Sequence, residues 1–181
     1  MKKTTRRKAA PAAKRKITPA ATGSKQKIAP FLWFDGQAEE AAKFYVSIFK
    51  NSKVVSMHRM GEGGPVPKGT VMSATFVLEG QTFHALNGGP MFKFTPAISF
   101  FVNCETQGEV DRFWEKLSSG GAKEPCGWVR DRFGVSWQVI PTVLGRFMGD
   151  KNPRKAGAVM QAMMQMTKID IKALEKAYKE A

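Results

Sequence analysis

The sequence predicts an α+β fold in which a strand-helix-strands unit occurs twice and is followed by C-terminal helices. In each half of the chain, alternating apolar residues typical of strands flank one amphipathic helical pattern. The aromatic pairs Phe44-Tyr45 and Phe113-Trp114 fall at equivalent places in these two helices, 69 residues apart. With 43% hydrophobic residues among 181, the chain has enough apolar side chains for a core of ordinary size.

The N-terminal segment differs in composition from the rest of the chain. Residues 1–27 carry ten Lys and Arg and no acidic residue, so the remaining chain holds only +4 of the total charge of +14. Because this segment has few apolar side chains to bury, we expect a disordered basic tail over residues 1–26. Its possible roles are a solubilising arm, a nonspecific contact to nucleic acid or a transit peptide.

Composition also indicates where the protein works. No apolar run approaches the roughly 20 residues that a membrane-spanning helix needs, so we expect a soluble protein without membrane contact. The two cysteines, Cys104 and Cys126, form neither a disulfide framework nor a zinc-binding spacing, which predicts a reducing, cytoplasmic location. The two histidines, His58 and His84, are 26 residues apart and do not indicate a metal site.

The first unit is predicted over residues 27–89. Residues 27–34, KIAPFLWF, form a short strand that ends at an Asp-Gly turn. The stretch QAEEAAKFYVSIFK is then an amphipathic helix. Its apolar residues recur at helical spacing and are Ala38, Ala41, Ala42, Tyr45, Ile48 and Phe49. A strand at residues 52–60 and a glycine-rich loop at residues 61–69 follow.

A hairpin completes the first unit at residues 71–89. Its two-residue turn is placed at Glu79-Gly80, where glycine tolerates a positive φ. This turn fixes the register, so Thr75 lies opposite His84 on a polar face that should meet a cavity or solvent. The other face should meet the helices and carries the pairs Ala74 with Ala85 and Phe76 with Phe83.

The second unit is predicted over residues 95–141. Residues 97–102, AISFFV, form its first strand, and Thr106 with Glu109 forms a capping box at the start of its helix. The apolar stripe of that helix consists of Val110, Phe113, Trp114 and Leu117. Two further strands come from GWVRDRFGVSWQVIP, on either side of Phe133-Gly134.

Residues 142–181 are predicted to form a helical extension of the domain at residues 27–141. Asn152 caps a helix that has proline at its first position, and Asp170 caps the last helix. Four methionines lie in or just after the first of these helices, namely Met160, Met163, Met164 and Met166. They pack in the core or a dimer interface, or they line a ligand pocket.

Three stretches carry a resemblance to a known family, namely FLWFDGQAEEAAKFYVSIF, LEGQTFHALNGGP and FGVSWQVIP. With them the chain resembles the vicinal-oxygen-chelate (glyoxalase/bleomycin-resistance-like) superfamily over about residues 27–180. Within it, the chain is similar to the PhnB-like branch, often labelled as a 3-demethylubiquinone-9 3-methyltransferase domain. The resemblance implies paired βαβββ modules, over about residues 27–89 and 95–141, that form a curled, cup-shaped sheet in a homodimer.

In the metal-using members of this superfamily, His or Glu side chains from four strands bind a divalent ion in the cup. The resemblance places these positions at Pro30, Ala97 and Gln138, with the remaining one within residues 84–87. Proline and alanine offer no ligand atom, and an amide oxygen is a weak ligand beside carboxylate or imidazole. We therefore predict no metal ion and no other cofactor.

The predicted site centres on Gln138 and His84. Gln138 offers both a donor and an acceptor and orients a polar small molecule, or it only bonds neighbouring main chain. His84 acts as an acid or base near neutral pH, or it only bonds Thr75 or solvent. Trp128 lines the pocket or fills the core. The full set of predicted ligand-binding residues is Leu32, Thr75, Asn87, Ser99, Phe101, Trp128 and Gln138.

Three functions are compatible with these residues. The first is a metal-independent small-molecule binding protein, or an enzyme of unknown substrate, that works as a homodimer. The second is a divalent-metal-dependent lyase, dioxygenase or antibiotic-resistance-type enzyme. The third is a dimer tethered to nucleic acid by residues 1–26. Methyl transfer from S-adenosylmethionine is not expected, because GEGG at residues 61–64 leads into a strand, whereas a nucleotide-binding turn opens a helix.

Overall fold

The structure is a computed structural model that describes residues 26–181. The predicted basic tail, with the roles considered for it, therefore lies outside the described residues except for residue 26. The first unit contains β1 (Phe31–Phe34), α1 (Ala38–Ile48), β2 (Lys53–Arg59), β3 (Val71–Leu78) and β4 (Gln81–Asn87). The second contains β5 (Ser99–Cys104), α2 (Gln107–Ser118), β6 (Ala122–Lys123), a 3-10 turn (Pro125–Gly127), β7 (Trp128–Arg130) and β8 (Ser136–Pro141).

The two units form two sheets with the same strand order. The first sheet runs β1-β4-β3-β2 and the second runs β5-β8-β7-β6. In each sheet the strand before the helix pairs in parallel with the last strand of its unit, and the other pairs are antiparallel. The predicted α+β fold of paired βαβββ modules is thereby confirmed. Each sheet has four strands and remains open, so neither closes into a barrel.

The β3-β4 hairpin has the predicted turn and register. Glu79 and Gly80 have φ values of 45° and 87°, as a two-residue turn between twisted strands requires. Thr75 pairs with His84. The apolar pairs Ala74 with Ala85 and Phe76 with Phe83 are also as predicted. Local turn chemistry therefore determines which side chains share each face of the first sheet.

Each sheet has a helix face, which packs against α1 or α2, and an opposite face that we call the open face. The two helix faces share one core, since Phe49 after α1 stacks on Phe113 of α2, with ring centroids 5.1 Å apart, and on Trp137 of β8, at 5.5 Å. Cys104 of β5 is buried in this core, and burial raises the pKa of its thiol to about 12. The open faces of the two sheets consequently point away from the shared core.

The C-terminal extension forms α3 (Thr142–Met148), α4 (Pro153–Met164) and α5 (Ile171–Glu180). Asn152 and Asp170 cap α4 and α5 as predicted, each accepting a hydrogen bond from a backbone N–H of the first turn. A second apolar cluster holds the extension to β8 and consists of Ile140, Leu144, Phe147, Val159, Ile169 and Leu174. Among residues 26–181, no helix combines the length and apolarity that crossing a membrane requires.

Candidate functional site

Three of the predicted ligand-binding residues are neighbours on the open face of the second sheet. Gln138 on β8 pairs with Phe101 on β5 and with Trp128 on β7. Cross-strand partners point to the same face of a sheet, so these side chains form a row across it. Ser99, a fourth predicted residue, lies beside them and accepts a hydrogen bond of 2.9 Å from Gln138 Nε2 to its Oγ.

The carboxamide of Gln138 is held on one side only. Its Nε2 is engaged by the Ser99 hydroxyl, which is a side-chain contact and not the main-chain contact considered from the sequence. Among residues 26–181, no protein donor lies within hydrogen-bonding distance of Gln138 Oε1, and no buried polar side-chain atom lacks a partner. Gln138 Oε1 is therefore an oriented acceptor that remains accessible to solvent or to a ligand.

Gln138 lines a cavity of about 280 Å³ between the second sheet and the C-terminal extension. Phe101, Trp128 and Gln138 supply the sheet side of the cavity, so Trp128 is a lining residue and not a core residue. The extension supplies the other side, through α3 and α4. None of the described side chains that line this cavity is charged.

His84 and Thr75 form a separate pair on the open face of the first sheet. The distance from Thr75 Oγ1 to His84 Nδ1 is 3.1 Å, and the Phe31 ring centroid lies 6.0 Å from the imidazole. Neither residue lines the cavity at Gln138. Within one chain the two central residues of the predicted site thus lie on different sheets, and a role of His84 as acid or base stays a prediction.

Two further predicted residues, Leu32 and Asn87, stabilise the fold of the first unit. Leu32 is on the helix face of β1, 7% exposed, and packs in the main core. Asn87 Oδ1 accepts a hydrogen bond of 2.8 Å from Ala38 N at the start of α1, and its Nδ2 donates one of 2.9 Å to Val71 O. Asn87 thereby replaces the N-cap side chain that α1 lacks. Contact of either residue with a ligand stays a prediction.

The described side chains at the positions of the family's metal ligands do not fit a divalent metal ion. Pro30 and Ala97 precede β1 and β5, and the first open-face residues of these strands are Phe31 and Ser99. A phenyl ring cannot coordinate a metal ion, and a serine hydroxyl is a weaker ligand than carboxylate or imidazole. Residues 26–181 contain no group of three or more His, Cys, Asp or Glu arranged to hold a metal ion.

Two larger pockets, of about 540 and 470 Å³, are less open to solvent than the cavity at Gln138 and contain one predicted site residue each. The first includes Phe101 and the second includes Leu32. Both pockets are lined by residues from the two sheets, and the second is lined mainly by apolar side chains next to β1 and β5. The predicted site residue in each of them is apolar, so neither pocket has a predicted polar residue comparable to Gln138.

Sequence reasoning missed two features on the two sides of the second sheet. The first is the contribution of the extension to the cavity, through Leu144, Met148 and Met163. The methionine-rich composition near α4 was the available signal, but nothing in it indicates which surface these side chains meet. The second is the buried carboxylate of Asp131, which accepts hydrogen bonds from the Tyr45 hydroxyl and Trp137 Nε1, both at 2.8 Å, on the helix side of the sheets.

Comparison with known families matches residues 26–140 to the model described as 3-demethylubiquinone-9 3-methyltransferase. The chain belongs to this family. One similar solved structure is the putative 3-demethylubiquinone-9 3-methyltransferase, PhnB protein, from Bacillus cereus. Its sequence is 46% identical to this chain, and the TM-score is 0.58. It covers 62% of this chain and 97% of its own. The resemblance to PhnB-like proteins inferred from the three sequence stretches is confirmed over residues 26–140, a shorter span than the predicted one of about residues 27–180.

A second similar solved structure is protein PA1353 from Pseudomonas aeruginosa. It is 26% identical with a TM-score of 0.52, and the match covers 62% of this chain and 95% of that one. No curated protein matches the chain. The family match ends at residue 140, so the three helices of the extension lie outside the matched part of the chain.

Proposed function

We propose that the protein binds a small organic molecule at Gln138, without a divalent metal ion, either as a binding protein or as an enzyme whose substrate is unknown. The observation that carries this proposal is the carboxamide of Gln138, which the Ser99 hydroxyl engages at Nε2 and which lines a cavity together with Phe101 and Trp128. Apolar lining with a few oriented polar groups is the usual composition of a small-molecule site.

The chemistry available at this site is recognition by shape and hydrogen bonding. Phe101 and Trp128 offer flat apolar surfaces on either side of Gln138, and aromatic rings pack favourably against such surfaces. The neutral carboxamide accepts a hydrogen bond without needing a counter-charge. These groups favour binding of an uncharged molecule. They are poor ligands for a metal ion.

Methyl transfer, which the family description names, is not part of the proposal. The glycine-rich loop at residues 61–64 joins two antiparallel strands, β2 and β3. A nucleotide-binding glycine turn instead leads from a strand into a helix, whose N-terminus faces the cofactor. We therefore assign no S-adenosylmethionine site to this loop.

The proposed working form is a homodimer. Large apolar side chains are exposed at β1, at β5 and in the segment that joins the two units, including Phe31 at 61%, Ile98 at 76% and Met91 at 76%. Exposed apolar clusters of this kind commonly mark protein contacts, and twofold homodimers are the commonest soluble oligomers. A second copy that covers this region would also remove it from water.

Phenol is a suitable probe, because it is uncharged, has one ring and donates one hydrogen bond. Protein dialysed against EDTA should still bind phenol, as followed by the Trp128 indole N–H signal in heteronuclear NMR titrations. Gln138→Leu should weaken binding by about threefold to tenfold, since one hydrogen bond is lost. The matched control is Gln161→Leu on the exposed side of α4, which should bind as the wild type does.

Two outcomes would overturn the proposal. The first is the absence of any Trp128 signal change at millimolar phenol. The second is binding that disappears after EDTA treatment and returns with Mn²⁺, Fe²⁺ or Zn²⁺. The second result would favour the divalent-metal-dependent lyase, dioxygenase or antibiotic-resistance-type enzyme, and His84→Ala should then also lower the metal content.

A further inference from the structure

We infer that the C-terminal extension selects the ligand at Gln138, and that this ligand is an uncharged single-ring compound that donates a hydrogen bond. The inference rests on the proposed function, because it assumes that Gln138 contacts a small molecule. It goes further in two respects. It assigns part of the site to residues beyond the family match, and it gives the chemical class of the ligand.

The extension is fixed against the second sheet by backbone hydrogen bonds. Cys126 N donates to Met166 O and Gly127 N donates to Thr167 O, both at 2.8 Å. These bonds join the segment after α4 to the 3-10 turn that leads directly into Trp128. The position of α4 relative to Trp128 is therefore set by the main chain and does not depend on side-chain packing alone.

A glutamine side chain adds a second attachment. Gln107 at the start of α2 donates from Nε2 to Ile169 O at 3.0 Å and accepts at Oε1 from Ile171 N at 2.9 Å. A single carboxamide thus satisfies one acceptor and one donor of the segment between α4 and α5. Because it is attached at two places, the extension is held in position as one wall of the cavity.

The helix α3 contributes directly because it follows β8 without a loop. Pro141 is the last residue of β8 and Thr142 is the first of α3. Leu144 and Met148, which are four residues apart and share one helix face, line the cavity together with Met163 of α4. Methionine side chains are flexible and pack well against aromatic rings, so they suit a flat guest.

Size and charge then restrict the ligand. The volume of about 280 Å³ is just below the range of about 300–1,000 Å³ that is usual for small-molecule sites, which suits a single substituted ring. An ionised group placed against the uncharged lining residues would find no side chain of opposite charge among them. Gln138 Oε1 is an acceptor, so the matching ligand group is a donor such as a hydroxyl or an amide N–H.

Gly145 of α3 offers a direct test. It lines the cavity, and a Cβ added there meets no atom within 4 Å. A leucine at this position should occupy the space that the ligand needs without disturbing the packed part of the helix. Gly157 of α4 is the matched control, because it is also helical, exposed and free of neighbours within 4 Å of an added Cβ.

The experiment compares the affinities of phenol, anisole and benzoate for the full chain by NMR titration. Phenol should bind more tightly than anisole, which has the ring but no donor, and more tightly than benzoate, which is charged. Gly145→Leu should weaken phenol binding by about tenfold, because the leucine side chain and phenol would compete for the same space in the cavity. Gly157→Leu should leave it unchanged. The smaller Gly145→Ala should give a weaker effect in the same direction and serves if the leucine variant does not fold.

The outcomes separate this inference from the proposed function. If Gln138→Leu weakens phenol binding while Gly145→Leu and Gly157→Leu both bind normally, the extension is not part of the site and the inference is wrong. Tighter binding of benzoate or anisole than of phenol would contradict the assigned ligand class. If phenol does not bind to the wild type at all, the proposed function itself fails.

Discussion

Asp131 shows how one residue connects the two units. Its carboxylate is 3% exposed and accepts hydrogen bonds from the Tyr45 hydroxyl on α1, from Trp137 Nε1 on β8 and from the backbone N–H groups of Phe133 and Val135. Burial raises the pKa of Asp131 above its ordinary range, and the bonds from Trp137 and Tyr45 oppose that rise. Burial also raises the pKa of Tyr45.

Asp131→Asn should lower the free energy of unfolding by about 1–3 kcal/mol. The amide NH₂ cannot accept the hydrogen bond from Trp137, so one buried donor would lose its partner. Asp35→Asn, in an exposed turn, is the control and should have little effect. Urea unfolding followed by tryptophan fluorescence measures both values.

The same variant tests the pKa direction of Asp131. Because folding raises this pKa, the stabilisation linked to its protonation is fully present below the ordinary Asp pKa of about 3.9 and is lost as the pH rises through the raised pKa. Asparagine does not titrate. The difference in unfolding free energy between wild type and Asp131→Asn should therefore shrink with rising pH, and a difference that grows would show that the pKa is lowered.

Contacts between side chains were predictable from the sequence only where the two residues are close along the chain. The Thr75–His84 pair was predictable, since nine residues and one turn separate its members. The Tyr45–Asp131 contact was not, because its partners are 86 residues apart and belong to different units. Gln138 and Ser99 were both predicted as site residues, yet their hydrogen bond joins side chains 39 residues apart and became visible only in the fold.

At the level of elements, the helices of both units and most strands were predicted, and the elements that were missed are all short. Both unit helices and the C-terminal helices that begin at residues 153 and 171 agree with the structure. The seven-residue helix α3 was missed, because it follows a strand directly and its N-cap residue is a proline without a side-chain cap. The two-residue strand β6 and the 3-10 turn beside it are also too short to give a periodic signal.

The 3-10 turn should be sensitive to substitution of Gly127. This glycine has a φ of +82°, and an added Cβ would lie 2.8 Å from Ile140 Cδ1 and 3.0 Å from Ile169 Cγ1. Gly127→Ala should therefore destabilise the protein by about 1–3 kcal/mol and increase amide hydrogen exchange in α4 and α5. The measurements are urea unfolding and exchange monitored by mass spectrometry.

Gly157→Ala in α4 is the matched control for this change. No atom lies within 4 Å of its added Cβ, so alanine should stabilise the helix by up to about 1 kcal/mol. Equal stability of the two alanine variants would contradict the role assigned to the 3-10 turn in holding the extension.

The whole molecule has two open faces directed away from one shared core, and this arrangement leads to a prediction about assembly. Ile98→Glu should convert the proposed homodimer to a monomer, because it places a charge in the exposed apolar region beside β5. Val55→Glu on β2, 54% exposed at the far edge of the first sheet, is the control and should stay dimeric. Light scattering coupled to size-exclusion chromatography gives the molar mass. A monomeric wild type would refute the dimer.

The overall arrangement was only partly accessible from the sequence. Hydrophobic periodicity indicated the repeated unit, and the family resemblance supplied the pairing of the modules. The packing of the extension was not predictable, since it depends on contacts such as Gln107 with Ile169, 62 residues apart. The cavity beside Gln138 is therefore a property of the assembled chain and not of any one motif.

The different surroundings of the two cysteines have a practical consequence for spectroscopy. The Cys104 thiol is enclosed in the core and its pKa of about 12 keeps it protonated at neutral pH, whereas Cys126 is half-buried at the edge of the cavity. Maleimide reagents react with the thiolate form and need access to it. The natural sequence thus provides a single attachment point for a fluorophore or nitroxide beside Gln138, and no cysteine has to be added or removed.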